Sequence, residues 1–88
     1  MRLLARGRVQ GVGFRWFVKT TAQALAISGW VCNLKDGSVE IEAQGSPGAL
    51  AELRRLIQGG NSWCRVDRLM ELHEREGTAD DDGIKISF

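Results

Sequence analysis

The stretch WVCNLKDGSVEIEAQ, residues 30–44, has the pattern of two strands joined by a tight turn. Its first part, up to Leu34, is aromatic and rich in residues that favour strands, and Asp36 and Gly37 form a strong signal for a two-residue turn. Apolar and polar residues then alternate over residues 38–44, as they do in a strand with one face in water. The sequence therefore predicts a β-hairpin.

An amphipathic helix is predicted on each side of this hairpin. Before it, an apolar stripe begins at Phe14, and the helix is expected to end near Ser28 and Gly29, where glycine can adopt the left-handed capping conformation. After it, Ser46 is typical of an N-cap preceding proline at the first helical position, and a second stripe stops before residues 59–60. The stripe residues are Phe14, Phe17, Val18, Thr21, Ala22 and Leu25 in the first helix and Ala49, Leu50, Leu53, Leu56 and Ile57 in the second.

The two ends of the chain supply further strands. Residues 3–9 and 65–72 have a strand-like composition, and the apolar residues of the second segment do not keep a strict period of two, which indicates a bulge. Apolar residues alternate again over residues 84–88, after a polar, acidic loop over residues 74–83. We therefore expect a first strand, a fourth strand and a short terminal strand.

This order of elements predicts an α+β fold, the ferredoxin-like two-layer sandwich, with both helices on one face of an antiparallel sheet. In that topology the first two strands run parallel and the third lies between them. Their ends then lie at the same edge of the sheet. The loop over residues 7–15 and Asn33 should therefore be neighbours, with Asn33 on the helix face.

The composition predicts a single domain over residues 1–88. Its hydrophobic content of 43% is ordinary for a globular protein, and a net charge of +1 offers no field for nucleic acid or an anionic membrane. Two cysteines are too few for a disulfide scaffold, and they lack the spacing of a zinc or redox motif. We expect reduced thiols in a cytoplasmic protein without a membrane span, and nothing in the composition requires more than a monomer.

The loop GRVQGVGFR, residues 7–15, is the candidate site. Three glycines flank the junction between strand and helix, where backbone N–H groups and the helix dipole can meet an anion. Arg15 adds a cation in the first helical turn. These residues alone leave two interpretations open, a phosphate site or a tight turn beside a solvated arginine.

The same loop resembles a signature of the acylphosphatase family, and GWV at residues 29–31, Asn33 and DGSVE at residues 36–40 resemble its second signature. The resemblance implies hydrolysis of the carboxyl-phosphate bond of an acyl phosphate, giving a carboxylate and inorganic phosphate by direct attack of water. It implies that Arg15 binds the phosphoryl oxygens and that Asn33 orients the water. The backbone amides expected to bind phosphate belong to Val9, Gln10, Gly11, Val12, Gly13 and Phe14.

This reaction requires few catalytic groups from the protein. The leaving carboxylate has a pKa of about 4, so no general acid is needed to expel it. The loop offers no Ser, Cys or His nucleophile, and the sequence has no cluster of metal ligands. We therefore expect neither a metal nor another cofactor. His73 is expected to be a structural or surface residue.

Two other functions are compatible with parts of the sequence. The alternative is a non-catalytic module that binds phosphate or carbamoyl phosphate, since similar domains occur inside hydrogenase-maturation carbamoyltransferases. An RNA-binding ferredoxin-like domain is disfavoured because the third strand carries Glu40 and Glu42.

Cys32 replaces the basic residue that many relatives carry before the asparagine. Trp16 and Trp63 either pack on the surface or border the acyl group of a substrate.

Overall fold

The computed structural model describes residues 1–73 and 76–88. Its elements, in chain order, are β1 (Arg2–Arg8), α1 (Phe14–Ala24), β2 (Ser28–Leu34), β3 (Val39–Gln44), α2 (Pro47–Gly59), β4 (Arg65–Leu72) and β5 (Asp81–Ser87). The strands form one sheet in the order β4-β1-β3-β2-β5, and each adjacent pair is antiparallel. The predicted α+β, ferredoxin-like arrangement is confirmed, with β3 between β1 and β2.

Both helices pack on the same face of this sheet. Val18 of α1 and Leu53 of α2 are fully buried in one cluster with alternate residues of the strands, among them Leu3, Val31 and Ile41. The opposite face carries a smaller cluster, built on Leu4, Cys32 and Leu34. Burying an apolar side chain of this size contributes about 1.5–3 kcal/mol, so the helix side supplies most of the stabilising burial.

The hairpin of β2 and β3 turns where the sequence predicts. The carboxylate of Asp36 accepts a hydrogen bond from the backbone N–H of Ser38 at 2.9 Å, and the N–H of Gly37 bonds the carbonyl of Leu34 at 3.1 Å. Gly37 has a φ of 95°, which an L side chain rarely adopts. The turn therefore sets the register that places Asn33 opposite Val39.

The end predicted for the first helix is wrong, because α1 ends at Ala24 and residues 28–29 already belong to β2. Ala26 takes the left-handed conformation with a φ of 55°, and its N–H bonds the carbonyl of Gln23 while that of Ile27 bonds Ala22. This is a Schellman cap without glycine. Gly29 serves the sheet instead, since a Cβ there would lie 1.9 Å from the carbonyl oxygen of Glu42.

The bulge predicted in the fourth strand is present. Arg6 pairs with Arg68 and Gly7 with Val66, so Asp67 is the extra residue of β4. A Cβ on Gly7 would lie 2.3 Å from the carbonyl oxygen of Arg65. Gly7 is therefore required by the close approach of β1 and β4, and our expectation that it belongs to the anion loop is wrong.

The polar loop predicted over residues 74–83 is shorter than expected, because β5 already begins at Asp81. Glu74 and Arg75 lie outside the described residues. The pairing of β5 with β2 is interrupted between Cys32, which faces Lys85, and Leu34, which faces Asp81. Residues 82–84 of β5 therefore lie opposite Asn33, and the regular pairing of β2 with β5 is interrupted at that point.

The second helix begins as predicted. The hydroxyl of Ser46 accepts a hydrogen bond from the backbone N–H of Ala49 at 3.2 Å, and Pro47 is the first helical residue. The helix includes Gly59 and is capped at Gly60, whose φ is 64°. After this cap the chain enters β4, which lies at the edge of the sheet opposite to β5.

Candidate active site

A cavity of about 200 Å³ lies where the loop after β1, the start of α1 and the end of β2 meet. It is lined by Val9, Gly11, Gly13, Phe14, Arg15, Trp16, Asn33 and Ile86. The side chains of Arg15 and Asn33, far apart in the sequence, therefore face one space. Asn33 is on the helix face of the sheet, as expected from the strand alternation with buried Cys32 on the other face.

The loop backbone approaches this cavity through two left-handed glycines. Gly11 has a φ of 71° and Gly13 a φ of 77°. A Cβ at either position would have nothing within 4 Å, so the backbone conformation and not crowding requires glycine there. Gly13 is the N-cap of α1 and no side chain caps the helix. An anion in the cavity would therefore meet a helix N-terminus that no side-chain oxygen already occupies.

The side chain of Gln10 links the loop after β1 to the hairpin of β2 and β3 by hydrogen bonds. Its Nε2 donates to the carbonyl oxygens of Leu34 and Ser38, each at 2.8 Å. These two carbonyls lie at the end of β2 and just before β3, beside Asn33. Gln10 was expected to act only through its backbone amide, and its position as a long amide donor between Val9 and Gly11 was the signal that could have revealed the role of its side chain.

Arg15 brings a partly satisfied guanidinium to the cavity. Its side chain is 28% exposed, yet Nη1 is buried and has no hydrogen-bond partner. The carboxylate of Asp82 lies nearby, with Oδ2 at 3.9 Å from this nitrogen, which is too far for a hydrogen bond. A buried donor of a charged group without an acceptor is costly, by about 1–3 kcal/mol or more. A bound phosphoryl oxygen would provide that acceptor.

The side chain of Asn33 has the complementary requirement, an acceptor that lacks a donor. Its Oδ1 is buried and accepts no hydrogen bond. Within the described parts of the chain, Oδ1 of Asn33 and Nη1 of Arg15 are the buried side-chain polar atoms that lack a partner. Most buried polar groups are paired, so two exceptions in one cavity mark it as a place for a polar ligand.

Asp82 was missed as a neighbour of the site. Asp82 was expected to lie in the polar, acidic loop over residues 74–83, whereas β5 brings it beside Arg15. Its Oδ1 accepts from the backbone N–H of Ile84 at 3.0 Å, which orients the carboxylate. No local signal could have revealed this contact, because it depends on the pairing of β5 with β2.

Comparison with known proteins identifies the family. The family model described as acylphosphatase matches residues 1–86. The chain belongs to the acylphosphatase family. An acylphosphatase of Geobacillus thermodenitrificans is 38% identical over 88 residues, which is 100% of this chain and 93% of the relative. One of Chlorobaculum tepidum is 52% identical over 66 residues, covering 75% of this chain and 72% of the relative.

A solved structure supports the same assignment. The crystal structure of acylphosphatase from Bacillus subtilis matches with a TM-score of 0.76 and 40% identity, covering 78% of this chain and 77% of that one. The resemblance inferred from the two sequence signatures is therefore confirmed, as is the fold that it implied.

In this member of the family the two cysteines are poor nucleophiles. Cys32 is buried on the sheet face away from the helices, and burial raises the pKa of its thiol to about 11, with the charge of Glu40 adding to the effect. Burial also raises the pKa of the Cys64 thiol, whose Sγ donates to the carbonyl of Val12 at 3.4 Å. At neutral pH both are protonated, and Cys64 supports the loop from the side opposite Gln10.

The two exposed tryptophans have different surroundings. Trp16 lines the cavity that contains Arg15 and Asn33. Trp63 lies beside Arg8 and Arg65 in a separate surface depression and does not line this cavity. His73 is exposed, in agreement with its expected surface position.

Over residues 1–73 and 76–88, no three His, Cys, Asp or Glu side chains group closely enough to hold a metal ion. Neither described helix has the length and apolar character needed to cross a membrane.

Proposed function

We propose that this chain hydrolyses the carboxyl-phosphate bond of small acyl phosphates, releasing a carboxylate and inorganic phosphate. The observation that carries the proposal is the pair of unpartnered buried atoms, Nη1 of Arg15 and Oδ1 of Asn33, in one cavity at the N-terminus of α1. One atom lacks an acceptor and the other lacks a donor. A phosphoryl group and a water molecule satisfy these two requirements together.

The phosphoryl group is bound by the loop. Backbone N–H groups of the six residues from Val9 to Phe14 surround its oxygens, and the dipole of α1 adds roughly half a positive charge. The guanidinium of Arg15 donates to the oxygens on which charge develops in the transition state. The side chain of Gln10 acts indirectly, by holding the loop against the end of β2.

Asn33 positions the attacking water. Its Oδ1 accepts a hydrogen bond from the water, whose oxygen attacks phosphorus in line with the bond to the leaving group. The new O–P bond forms as the P–O bond to the acyl group breaks, and the electron pair of that bond leaves on the carboxylate. The proton of the water passes to a phosphate oxygen, since an amide is no base.

The leaving group explains why so few side chains suffice. A carboxylate with a pKa of about 4 departs without protonation. The high pKa of Cys32 and its place on the other face of the sheet argue against a thiolate intermediate. We propose a reaction independent of metal ions, and the assay below includes a chelator for that reason.

The test is hydrolysis of benzoyl phosphate with a chelator present. Arg15→Ala is expected to lower kcat/KM by at least about 100-fold and to weaken inhibition by inorganic phosphate, because it removes a charged donor. Asn33→Ala is expected to lower kcat by a similar factor with little change in phosphate inhibition, because its role begins when water attacks.

Arg68→Ala, which removes an exposed arginine on β4, is the matched control and should retain wild-type rates. Absence of turnover by the wild-type chain would overturn the proposal. If phosphate still bound in that case, the alternative of a non-catalytic phosphate-binding module would stand.

We further propose that residues 1–88 act as one domain and as a cytoplasmic monomer that binds no nucleic acid. All five strands join one sheet, which supports a single folding unit. The two cysteines are free and buried, which agrees with a reducing compartment. Light scattering coupled to gel filtration measures the mass of the particle, and a dimer would contradict the monomer.

A further inference from the structure

The side chain of Trp16 is largely exposed to solvent, although burial of a tryptophan side chain is favourable. Its relative accessibility is 65%, and among the described residues the other large exposed hydrophobic side chains are Trp63 and Ile84. The buried face of α1 is formed by Phe14, Val18 and Ala22, and Trp16 is not part of it. Packing in the core therefore does not account for this side chain.

The helix directs Trp16 toward the phosphate loop. It is the third residue of α1, and Cα–Cβ bonds tilt toward the N-terminus of a helix, which here is the loop. Trp16 accordingly lines the cavity beside Arg15. The ammonium of Lys19, one turn later, lies 5.7 Å from the centre of the indole, a cation–π contact that favours one orientation of the ring.

The direction of the reaction places the acyl group on the same side. Asn33 belongs to the sheet layer and Trp16 to the helix layer of the sandwich. If water attacks phosphorus from the side of Asn33, in-line displacement expels the carboxylate on the side away from the sheet. The acyl group then lies at the mouth of the cavity on the side of α1, where Trp16 is the large exposed apolar surface.

We infer that Trp16 forms the acyl-group subsite, and that this chain prefers acyl phosphates with a flat aromatic or bulky apolar acyl group over small ones. The inference rests on the proposed function, since it concerns the leaving side of that reaction. A benzoyl group can stack on the indole and remove its exposed face from water, whereas an acetyl group covers little of it. The selectivity therefore arises from area buried and not from a new polar contact.

The experiment compares kcat/KM for benzoyl phosphate and acetyl phosphate. The wild-type chain is expected to favour benzoyl phosphate, and Trp16→Ala should reduce the benzoyl-to-acetyl ratio by about three- to tenfold, the range that one aromatic contact supplies. Trp16→Phe keeps an aromatic face and should retain most of the ratio. Trp63→Ala, which removes the other exposed tryptophan, one that does not line the cavity, is the matched control and should leave the ratio unchanged.

Inhibition by stable analogues gives a second readout that needs no cleavage. Benzoylphosphonate should inhibit acetyl phosphate hydrolysis more strongly than acetylphosphonate does, and Trp16→Ala should remove most of this difference while inhibition by inorganic phosphate changes little. An unchanged benzoyl-to-acetyl ratio in Trp16→Ala, or the same loss in Trp63→Ala, would overturn the subsite. Failure of the wild-type chain to hydrolyse either substrate would instead overturn the proposed function.

Discussion

Arg15 places a positive charge in the first turn of α1, where the helix dipole already presents positive partial charge. This arrangement costs about 0.3–1 kcal/mol in the empty protein, and a bound anion turns the cost into a gain. Asp82, 3.9 Å from Nη1, offsets part of the unfavourable charge before a ligand arrives. Arg15 is thus held beside the carboxylate of Asp82 without a hydrogen bond between them. A phosphoryl oxygen can therefore take the place of that carboxylate as the partner of Nη1.

Gln10 is the residue whose side chain joins the loop to the sheet, and its removal is the sharpest test at this scale. Gln10→Leu keeps the size of the side chain but deletes both donors to Leu34 and Ser38. The carbonyls of Leu34 and Ser38 each lose one hydrogen bond and keep one from a backbone N–H, so the two lost bonds, at about 0.5–1.5 kcal/mol each, should lower the free energy of unfolding by about 1–3 kcal/mol. Urea unfolding measures the loss, and kcat/KM for benzoyl phosphate should fall as the loop loses its fixed position.

Gln23→Leu is the control for this change, because Gln23 is an exposed glutamine on α1. Its stability should stay within about 0.5 kcal/mol of the wild type. If the two variants were equally stable, the hydrogen bonds of Gln10 would not hold the loop.

At the scale of elements, the junction between β1 and α1 determines the shape of the anion site. Gly11 and Gly13 turn the chain through left-handed conformations so that the loop backbone borders the cavity at the start of the helix. Both positions have open space around a hypothetical Cβ. The constraint at this junction is therefore conformational, in contrast to Gly29, where a Cβ would collide with β3.

Gly13→Ala tests that constraint. Holding alanine at a φ of 77° should lower the free energy of unfolding by about 1–2 kcal/mol and weaken inhibition by phosphate, since relaxation of the strain shifts the backbone amides. Gly48→Ala is the matched control: Gly48 lies in α2, also has nothing within 4 Å of a Cβ, and has an ordinary φ. It should stabilise the protein by up to about 1 kcal/mol. Thermal unfolding of both variants would contradict the argument if the two changes had the same sign.

At the scale of the whole molecule, the sheet has two unequal faces, and a buried thiol in the smaller cluster makes stability depend on alkaline pH. Cys32 is buried there beside Leu4 and Leu34. Its thiol has a pKa of about 11 in the folded protein, raised from 9.0 chiefly by burial. The stabilisation that this thiol contributes is fully present below the pKa of the unfolded chain and is lost as pH rises through the folded value.

We therefore expect the free energy of unfolding to decline between about pH 9 and pH 11 by up to about 1.4 kcal/mol per pH unit from this thiol. Cys32→Ala should flatten the decline, as measured by urea unfolding across that range. Cys64→Ala is the comparison, because it leaves Cys32 in place and should keep the slope that Cys32 causes. An equal slope in the wild type and in Cys32→Ala would show that the decline has another origin.

Local patterns in the sequence were enough to predict much of this architecture. The turn at Asp36 and Gly37, the N-cap at Ser46 and the apolar stripes of both helices depend on residues close together in the chain, where short-range sterics and hydrogen bonds act. The order of elements then restricted the topology to one in which the loop and Asn33 share an edge. The family signature in residues 7–15 could be recognised for the same reason, since it is contiguous.

Contacts between distant segments were decided by the tertiary structure. Gly29 looked like a helix cap and Gly7 like part of the anion loop, but both are glycine because a neighbouring strand approaches too closely for a Cβ. The tie from Gln10 to the hairpin and the approach of Asp82 to Arg15 likewise depend on strand register. Local residue patterns are sufficient to predict which elements form and which loop is the candidate anion site. Only the packing of the sheet decided which side chains surround that anion, because such distances depend on the whole fold.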